Sequence, residues 1–416
     1  MSITDDRAAA PPGGPDSQGR GTASGRDQLV AMTREAIEHA KASTMPLVEG
    51  IHRVPAANYV DAERWRLELE RIFRRLPLVL AYSCELVGPH AYKATEAAGT
   101  PVLVTRGADG EVRAFVNMCS HRGAQVVAEG MGTARRFSCP YHAWTYDSGG
   151  QLVGILDRDD FGDIDASCHG MTELPAEERC GLVFVGLTPG AELHLDAFLA
   201  GYDEVLQHLR FAECTLVGTQ RVDGPNWKVA YDGYLDLYHI PILHRATFGP
   251  DFSNQAIYTV WGPHQRLVSP DQRLVELEAL PEERWPNGAL ISGVWTIFPH
   301  VSIAPFDAGG RLYMVSQLFP GDTPATSYTI QSFLALDPPD DERRERIRKQ
   351  MEFLLHVVRD EDYATGIRIT RALATGAKAE VLFGRNEGGG QRFHRWTDAL
   401  VATADADLVD LYRRGI

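Results

Sequence analysis

Hydrophobic and polar positions divide this chain into regions of different texture. Residues 1–28, opening MSITDDRAAAPPGGPDSQGRG, contain almost no apolar run. A stretch rich in Pro, Gly, Ser and Asp cannot bury enough surface to offset its chain entropy, so a disordered tail is expected. Apolar residues then recur every three or four positions in LVAMTREAIEHAKAS (29–43) and DAERWRLELERIFRRL (61–76), which predicts helices. From Pro77 to Leu187 the period shortens. VLVTRGADGEVRAFVNM places two apolar runs around GADGE, TYDSGGQLVGI repeats the scheme, and GLVFVGL reads as a buried strand. Residues 77–187 therefore predict a small all-β domain.

Beyond residue 187 strands and long helices mix. SYTIQSFLAL and GRLYMVSQLF alternate as antiparallel strands do. The segment 341–374, DERRERIRKQMEFLLHVVRDEDYATGIRITRALA, follows the helix-start signal DPPD and carries an apolar stripe. No internal repeat is visible. The expected class is α+β: an all-β domain inserted between a helical segment (29–76) and the rest (188–416) of an α+β domain.

Composition narrows the function. At 416 residues the chain has room for two or three domains. Its 41 basic and 56 acidic residues give a net charge of -15, which a phosphate backbone would repel, so no nucleic-acid partner is expected. No apolar run reaches the roughly 18–20 residues of a membrane span, and the start lacks the apolar core of a signal peptide. Six cysteines (84, 119, 139, 168, 180, 214) are scattered without an export signal. A cytoplasmic protein with reduced thiols is expected, whose cysteine chemistry points to metals before disulfides.

The stretch CSHRGAQVVAEGMGTARRFSCPYHAW holds Cys119-x-His121, a gap of 17 residues, then Cys139-x-x-His142. Structural zinc sites usually pair Cys with Cys and His with His. Here each half supplies one of each. That suits a [2Fe–2S] centre whose irons differ, one taking both thiolates and the other both neutral imidazoles, which raises its potential. Trp144 is expected to pack against these loops.

A second site is suggested by NWKVAYDGYLDLYHIPILHRATFG (226–249). Asp236-x-x-His239 would place a carboxylate and an imidazole on one helical face. His244 lies five residues on, and Pro241 interrupts the ladder between them so that it can swing back. Two histidines and a carboxylate form the facial triad of non-haem Fe(II) sites, with positions left open. The carboxylate is either Asp236 or one from the distal helix. There, steps of 100° put Asp362 on the stripe of Ile347, Met351, Leu354, Leu355 and Val358, with Asp360 pointing away and Glu361 near the edge. A carboxylate on a buried face needs a metal or a partner such as Arg368.

CSHRG and CPYHAW resemble the Rieske signature of the oxygenase and ferredoxin kind. The respiratory kind carries two further cysteines that form a disulfide, and here Ala124 and Tyr141 stand in their places. With Asn226, Trp227, Lys228, Asp236, Tyr238, His239 and His244, the pair Glu361–Asp362 and the closing FGRNEGGGQRFHRWTDAL, the chain from about residue 45 resembles the large (α) subunit of Rieske non-haem iron ring-hydroxylating oxygenases. Thr370 replaces a common Gln, and Asp232 replaces an Asn that many ring-dihydroxylating members carry.

This resemblance implies an all-β Rieske domain inserted into a helix-grip catalytic domain. It implies a [2Fe–2S] cluster on Cys119, His121, Cys139 and His142, and a mononuclear Fe(II) on His239, His244 and Asp362. Asp236 is implied to bridge His239 to His142 of a neighbouring subunit in a homotrimer, carrying electrons between the centres. The partners implied are O2, an organic substrate and an electron-donating reductase or ferredoxin, since no GxGxxG fingerprint between strand and helix is present for NAD(P)H. The products would be hydroxylated or oxidatively dealkylated compounds. Aromatic or polycyclic substrates are expected, and a quaternary amine would also suit an aromatic-lined pocket, through cation–π contact. Tyr234, Phe248, Trp295, Phe298 and Phe306 are candidates to line the pocket. Two competing readings are a non-catalytic Rieske electron carrier, which would not need the trio His239, His244 and Asp362, and a zinc-stabilised interaction module, disfavoured by the mixed Cys/His halves.

Overall fold

The computed structural model describes residues 24–249 and 252–416. Most of the expected tail, residues 1–23, lies outside the described residues; its last part does not behave as a tail. Ser24 caps a helix over Gly25–Ala42, accepting from the Asp27 N–H while the Asp27 carboxylate accepts from the Ser24 N–H. This capping box starts the helix ahead of its first large apolar residue, which is why hydrophobic periodicity placed the start at Leu29. The second predicted helix runs Ala62–Glu68, capped by Asp61, and continues as a π turn over Leu69–Phe73.

The β region contains the predicted hairpins. Thr100–Arg106 pairs with Val112–Val116 around GADGE, and Thr145–Asp147 pairs with Leu152–Gly154. The first hairpin belongs to a five-stranded sheet with Glu173–Leu174, Ala91–Ala97 and Gly130–Thr133. The second extends to Arg136–Ser138 in a three-stranded sheet. These elements enclose a core of their own, including Phe115, Phe137, Trp144, Tyr146 and both Cys119 and Cys139. Burying Phe115 and Phe137 contributes about 1.5–3 kcal/mol each. Leu182–Val185 is buried at every position, as GLVFVGL suggested, and pairs with Leu78–Tyr82. That last strand anchors the β unit: the Val79 N–H donates to His300 Nε2 at 3.0 Å, and Gln317 Nε2 donates to the Val79 carbonyl at 2.6 Å.

The remaining chain builds a seven-stranded antiparallel sheet. Its order is Thr215–Gly224, Ser327–Ala335, Arg311–Pro320, Val301–Asp307, Val294–Ile297, His264–Val268 and Ile257–Trp261. The two strands recognised by alternation, 311–320 and 327–335, pair with each other. Both are buried on nearly every residue. Their polar positions (Ser316, Gln317, Thr329, Gln331, Ser332) are covered as well. Alternation therefore identified the strands but not the covering of their polar face.

The long distal helix exists in three parts: Asp341–His356, a π-helical stretch Val357–Tyr363, and Ala364–Leu373. Its predicted stripe is seated against the sheet, with Ile347, Leu354 and Met351 packing on Leu312 and Phe333. A π stretch inserts extra residues into a turn, so a projection at 100° per residue loses phase there. The segment affected is the one that carries Asp360, Glu361 and Asp362.

Candidate metal centres

The two Cys/His loops of the β unit share one hydrogen-bond scheme. Cys119 N–H donates to the Ala124 carbonyl at 2.8 Å and Gly123 N–H to the Cys119 carbonyl at 2.9 Å. In the second loop Cys139 N–H donates to the Trp144 carbonyl at 2.8 Å and Ala143 N–H to the Cys139 carbonyl at 2.9 Å. Each loop reverses at a left-handed residue, Gly123 (φ 77°) and Ala143 (φ 54°). Ala143 holds that conformation without glycine's freedom, at a cost of about 1–3 kcal/mol that the surrounding loop must offset.

Both thiols are buried and free, and Ala124 and Tyr141 leave no disulfide between the loops. The Tyr146 hydroxyl lies 3.3 Å from Cys119 Sγ as a donor and accepts the Ser120 N–H at 2.9 Å. The His121 and His142 rings are 4.6 Å apart, and Trp144 stacks on His121 at 5.0 Å and 11°. Trp144 thus packs where it was expected. His121 Nδ1 is buried without a hydrogen-bond partner among the described residues. Loss of solvation, then His142 and Arg122, hold its pKa below the usual histidine value, which favours the neutral ring. A buried ring nitrogen without a hydrogen-bond partner is costly unless it binds a metal, so the residues fit a Rieske cluster. Among the described residues, no three of these four gather their ligand atoms within 4.8 Å, as a single zinc would require.

His239, His244 and Asp362 do meet that criterion. Asp362 Oδ1 lies 3.0 Å from His244 Nε2 and 3.7 Å from His239 Nε2, and the two rings are 5.2 Å apart. Pro241 does not interrupt a ladder as expected. It sits in the first turn of a short helix, Ile240–Leu243, flanked by the two histidines, where its missing N–H costs nothing. Leu243 N–H donates to the His239 carbonyl at 2.8 Å and His244 N–H to the Ile240 carbonyl at 3.0 Å. Asp236 and His239, however, do not share a helical face. The helix Trp227–Tyr234 has ended, and the two residues occupy a turn. There one Asp236 oxygen accepts the Tyr238 N–H while the other lies 3.0 Å from His239 Nδ1. With Nδ1 protonated, His239 Nε2 keeps its lone pair for a metal.

Glu361 is the residue that sequence periodicity misplaced. Rather than lying at the edge, it points inward: Oε2 is 2.6 Å from His244 Nδ1, and its other oxygen accepts from the Thr247 hydroxyl. The π turn brings Glu361 and Asp362 to the same site, one orienting a ring and the other facing the metal position. Burial opposes a charge on His244, but Asp362 and Glu361 outweigh it and raise its pKa. Asp360 points away as expected, pairing with His356 and Arg359. Arg368 does not pair with Asp362; its Nε donates to the Ala364 carbonyl.

The NWK motif is an anchor. Asn226 caps the helix through the Lys228 and Val229 N–H groups. Trp227 Nε1 donates to Glu68 at 2.8 Å, and the buried Lys228 ammonium pairs with the same carboxylate, which Arg64 also holds. Breaking such a buried ion pair typically costs about 3–5 kcal/mol. Thr370 accepts the Asn226 N–H at 3.3 Å and lies outside the lining of the metal-side cavity.

That cavity, about 270 Å³, is lined by His239, Asp362, Asp236 and largely apolar residues. Of the five aromatic candidates only Tyr234 lines it. Trp295 and Phe298 are fully buried core residues, Phe306 packs against the distal-helix core, and Phe248 sits at the surface beside His244. Aromatic composition could not tell core from wall. The lining instead includes Tyr59, Tyr363, Phe383 and Glu387. Asp232 also lines it, accepting from Tyr59 OH at 2.9 Å and lying 2.9 Å from His394 Nε2.

Two family models match this chain: a Rieske [2Fe–2S] domain over residues 77–161 and the ring hydroxylating alpha subunit catalytic domain over residues 211–403. The α subunit of 2-aminobenzenesulfonate 2,3-dioxygenase from Alcaligenes sp. is 34% identical over 213 residues, 50% of this chain and 53% of that protein. The chain thus spans about half the length of that relative. The carnitine monooxygenase oxygenase subunit of Escherichia coli K12 is 25% identical over 338 residues, 78% of this chain and 84% of that one. Naphthalene 1,2-dioxygenase from Rhodococcus sp. shares the fold, with a TM-score of 0.69 at 22% identity over 91% of this chain and 99% of its own. A Rieske domain implies a [2Fe–2S] cluster and the catalytic domain a mononuclear iron, and both residue sets described above fit. With both matched regions in one chain, the protein belongs to the family of Rieske non-haem iron ring-hydroxylating oxygenase α subunits.

Proposed function

We propose that this chain is the terminal oxygenase of a multicomponent system that hydroxylates, dihydroxylates or oxidatively dealkylates an organic substrate with O2. The observation that carries the reading is the trio His239, His244 and Asp362, of which His239 and Asp362 line a cavity whose wall is largely apolar. An electron carrier would need neither. In this reading Cys119, His121, Cys139 and His142 hold the cluster, and residues 77–187 and 188–416 form the two working domains, with 29–76 joining the second.

The bound cluster and iron supply single electrons and a site for O2 activation. The chain's own residues do the rest. Asp236 and Glu361 fix the two imidazoles through Nδ1 so that both Nε2 atoms face one point. The cavity orients the substrate and excludes water from the reacting face. Asp236, partly exposed beside the exposed Tyr238 and Ile242, would accept a hydrogen bond from the partner subunit's cluster histidine. Exposed Tyr141, Leu156 and Phe161 flank the cluster loops. These two apolar patches suit a head-to-tail contact, which closes as a homotrimer. Electrons would come from a separate reductase or ferredoxin. No helix among the described residues is long and apolar enough to cross a membrane, and a cytoplasmic location is part of this proposal.

The test is EPR of the reduced, iron-loaded protein with nitric oxide, with and without candidate substrates. A high-spin iron–nitrosyl signal beside the cluster's signal, absent in Asp362→Ala, is the expected result. An intact cluster with no such signal would leave an electron carrier.

A further inference from the structure

We propose that the cavity at the mononuclear centre is built for a cationic substrate, a substituted ammonium on an apolar frame; this rests on the oxygenase reading above. The lining contains four carboxylates, Asp232, Asp236, Asp362 and Glu387, and neither lysine nor arginine. Their combined charge exceeds what one divalent iron with neutral histidines would balance. Uncompensated charge in a largely apolar cavity is costly, and a cation entering it relieves that cost.

Two of these carboxylates are held in place for such a role. Asp232 is fixed by Tyr59 OH and His394 Nε2, both 2.9 Å away, from residues that are 1% exposed. Glu387 accepts the Gly384 N–H at 2.6 Å. Burial raises its pKa, Gly384 opposes this, and Asp236 and Asp232 add to the rise. A carboxylate pushed toward neutrality by burial, and further by two like charges, is one whose ionised form a nearby cation would favour.

The rest of the wall suits the same ligand. Tyr59, Tyr234, Tyr363 and Phe383 contribute aromatic surface to it. The Tyr234 and Tyr363 hydroxyls bond to each other at 3.1 Å, and Tyr363 to Thr329 at 2.6 Å, which fixes those rings. Aromatic faces attract alkylammonium groups without requiring hydrogen-bond donors. An anionic substrate would meet carboxylates with no basic side chain to pair with. A neutral one would leave the excess charge unrelieved.

The test is calorimetric binding to the full-length, iron-loaded, reduced protein under anaerobic conditions. The probes are phenyltrimethylammonium, its neutral isostere tert-butylbenzene, and benzoate. The expected order is ammonium tighter than isostere by at least about tenfold at low salt, with benzoate weakest. Glu387→Gln and Asp232→Asn should each cut the ammonium preference by about tenfold, leaving the isostere's affinity within about twofold. Equal or tighter binding of the isostere or of benzoate, no detectable ammonium binding, or a preference unchanged in both variants would overturn the proposal. The iron–nitrosyl signal of the same samples separates the two readings. If it is present, a failed preference rejects the substrate class alone; if it is absent, the oxygenase reading itself has failed.

Discussion

The Cys/His loops and the mononuclear centre differ first in how far along the chain their residues lie. Cys119 to His142 is one short stretch, folded by two turns with matching hydrogen bonds inside a small β core. The mononuclear centre joins a turn and a short helix within 236–244 to a π-helical segment that follows the whole catalytic sheet. The first is a local object whose geometry is encoded beside its ligands. The second exists only when helix, turn and sheet are in register. A local site tolerates distant change, whereas an assembled one depends on neighbours that hold its ligands.

Separate deletion is the severest test of that contrast. Asp362→Ala should abolish mononuclear iron binding while the cluster's visible and EPR spectra stay unchanged. Losing the metal forfeits several kcal/mol of transition-state stabilisation, so turnover should fall at least about a thousandfold. Cys139→Ser should do the converse, removing the cluster spectrum while metal analysis still finds the mononuclear iron. Joint loss of both metals in either variant would show that the centres fold as one unit.

Asp236→Asn should retain both metals and lower turnover by about a hundredfold, the upper range for a residue that orients a ligand. Stopped-flow reoxidation of the reduced cluster with substrate and O2 present is the appropriate measurement. Unaltered reoxidation would remove Asp236 from the electron path.

Glu361→Gln probes the assembled centre more gently. Iron affinity should fall about 10–100-fold with the cluster unaffected. In the metal-free protein, protonated His244 ties Asp362 to Glu361, and its pKa is raised by them against the effect of burial. That contribution to stability is present at acid pH and is lost as pH rises through the raised pKa. Iron needs the neutral ring, so iron affinity should climb over the same window, above the usual histidine range of about 6.5. In Glu361→Gln the window should move down, which metal-binding titrations across pH would detect.

The smallest effect is expected in the local site. Tyr146→Phe removes the hydroxyl donor to Cys119 Sγ but keeps the ring in its core. Fewer hydrogen bonds to sulfur lower a cluster's potential, so voltammetry should show a downward shift with no loss of cluster or fold.

Much of this architecture is legible in the amino-acid sequence. The mixed Cys/His halves and both hairpins follow from residue type and spacing, because short-range backbone geometry governs them. The meeting of His239 and His244 was expected from a Pro241 break and instead rests on a helical turn that Pro241 starts. The anchor on Glu68 is not legible there, since Lys228 and Trp227 meet it across a long sequence separation. Nor are the cavity's walls. Aromatic residues occur in core and pocket alike, and Tyr59, Phe383 and Glu387 reach the cavity from opposite ends of the chain.

By itself the sequence determined which residues could bind metal and which local turns and strands present them, because those depend on neighbours within a few positions. Tertiary structure alone decided that Glu361 faces His244, that Arg368 does not meet Asp362, and that carboxylates gather around one cavity. The physical reason is phase and distance. A π turn shifts every later side chain around the helix axis, and charges far apart in sequence interact only once the sheet has brought them within a few ångströms.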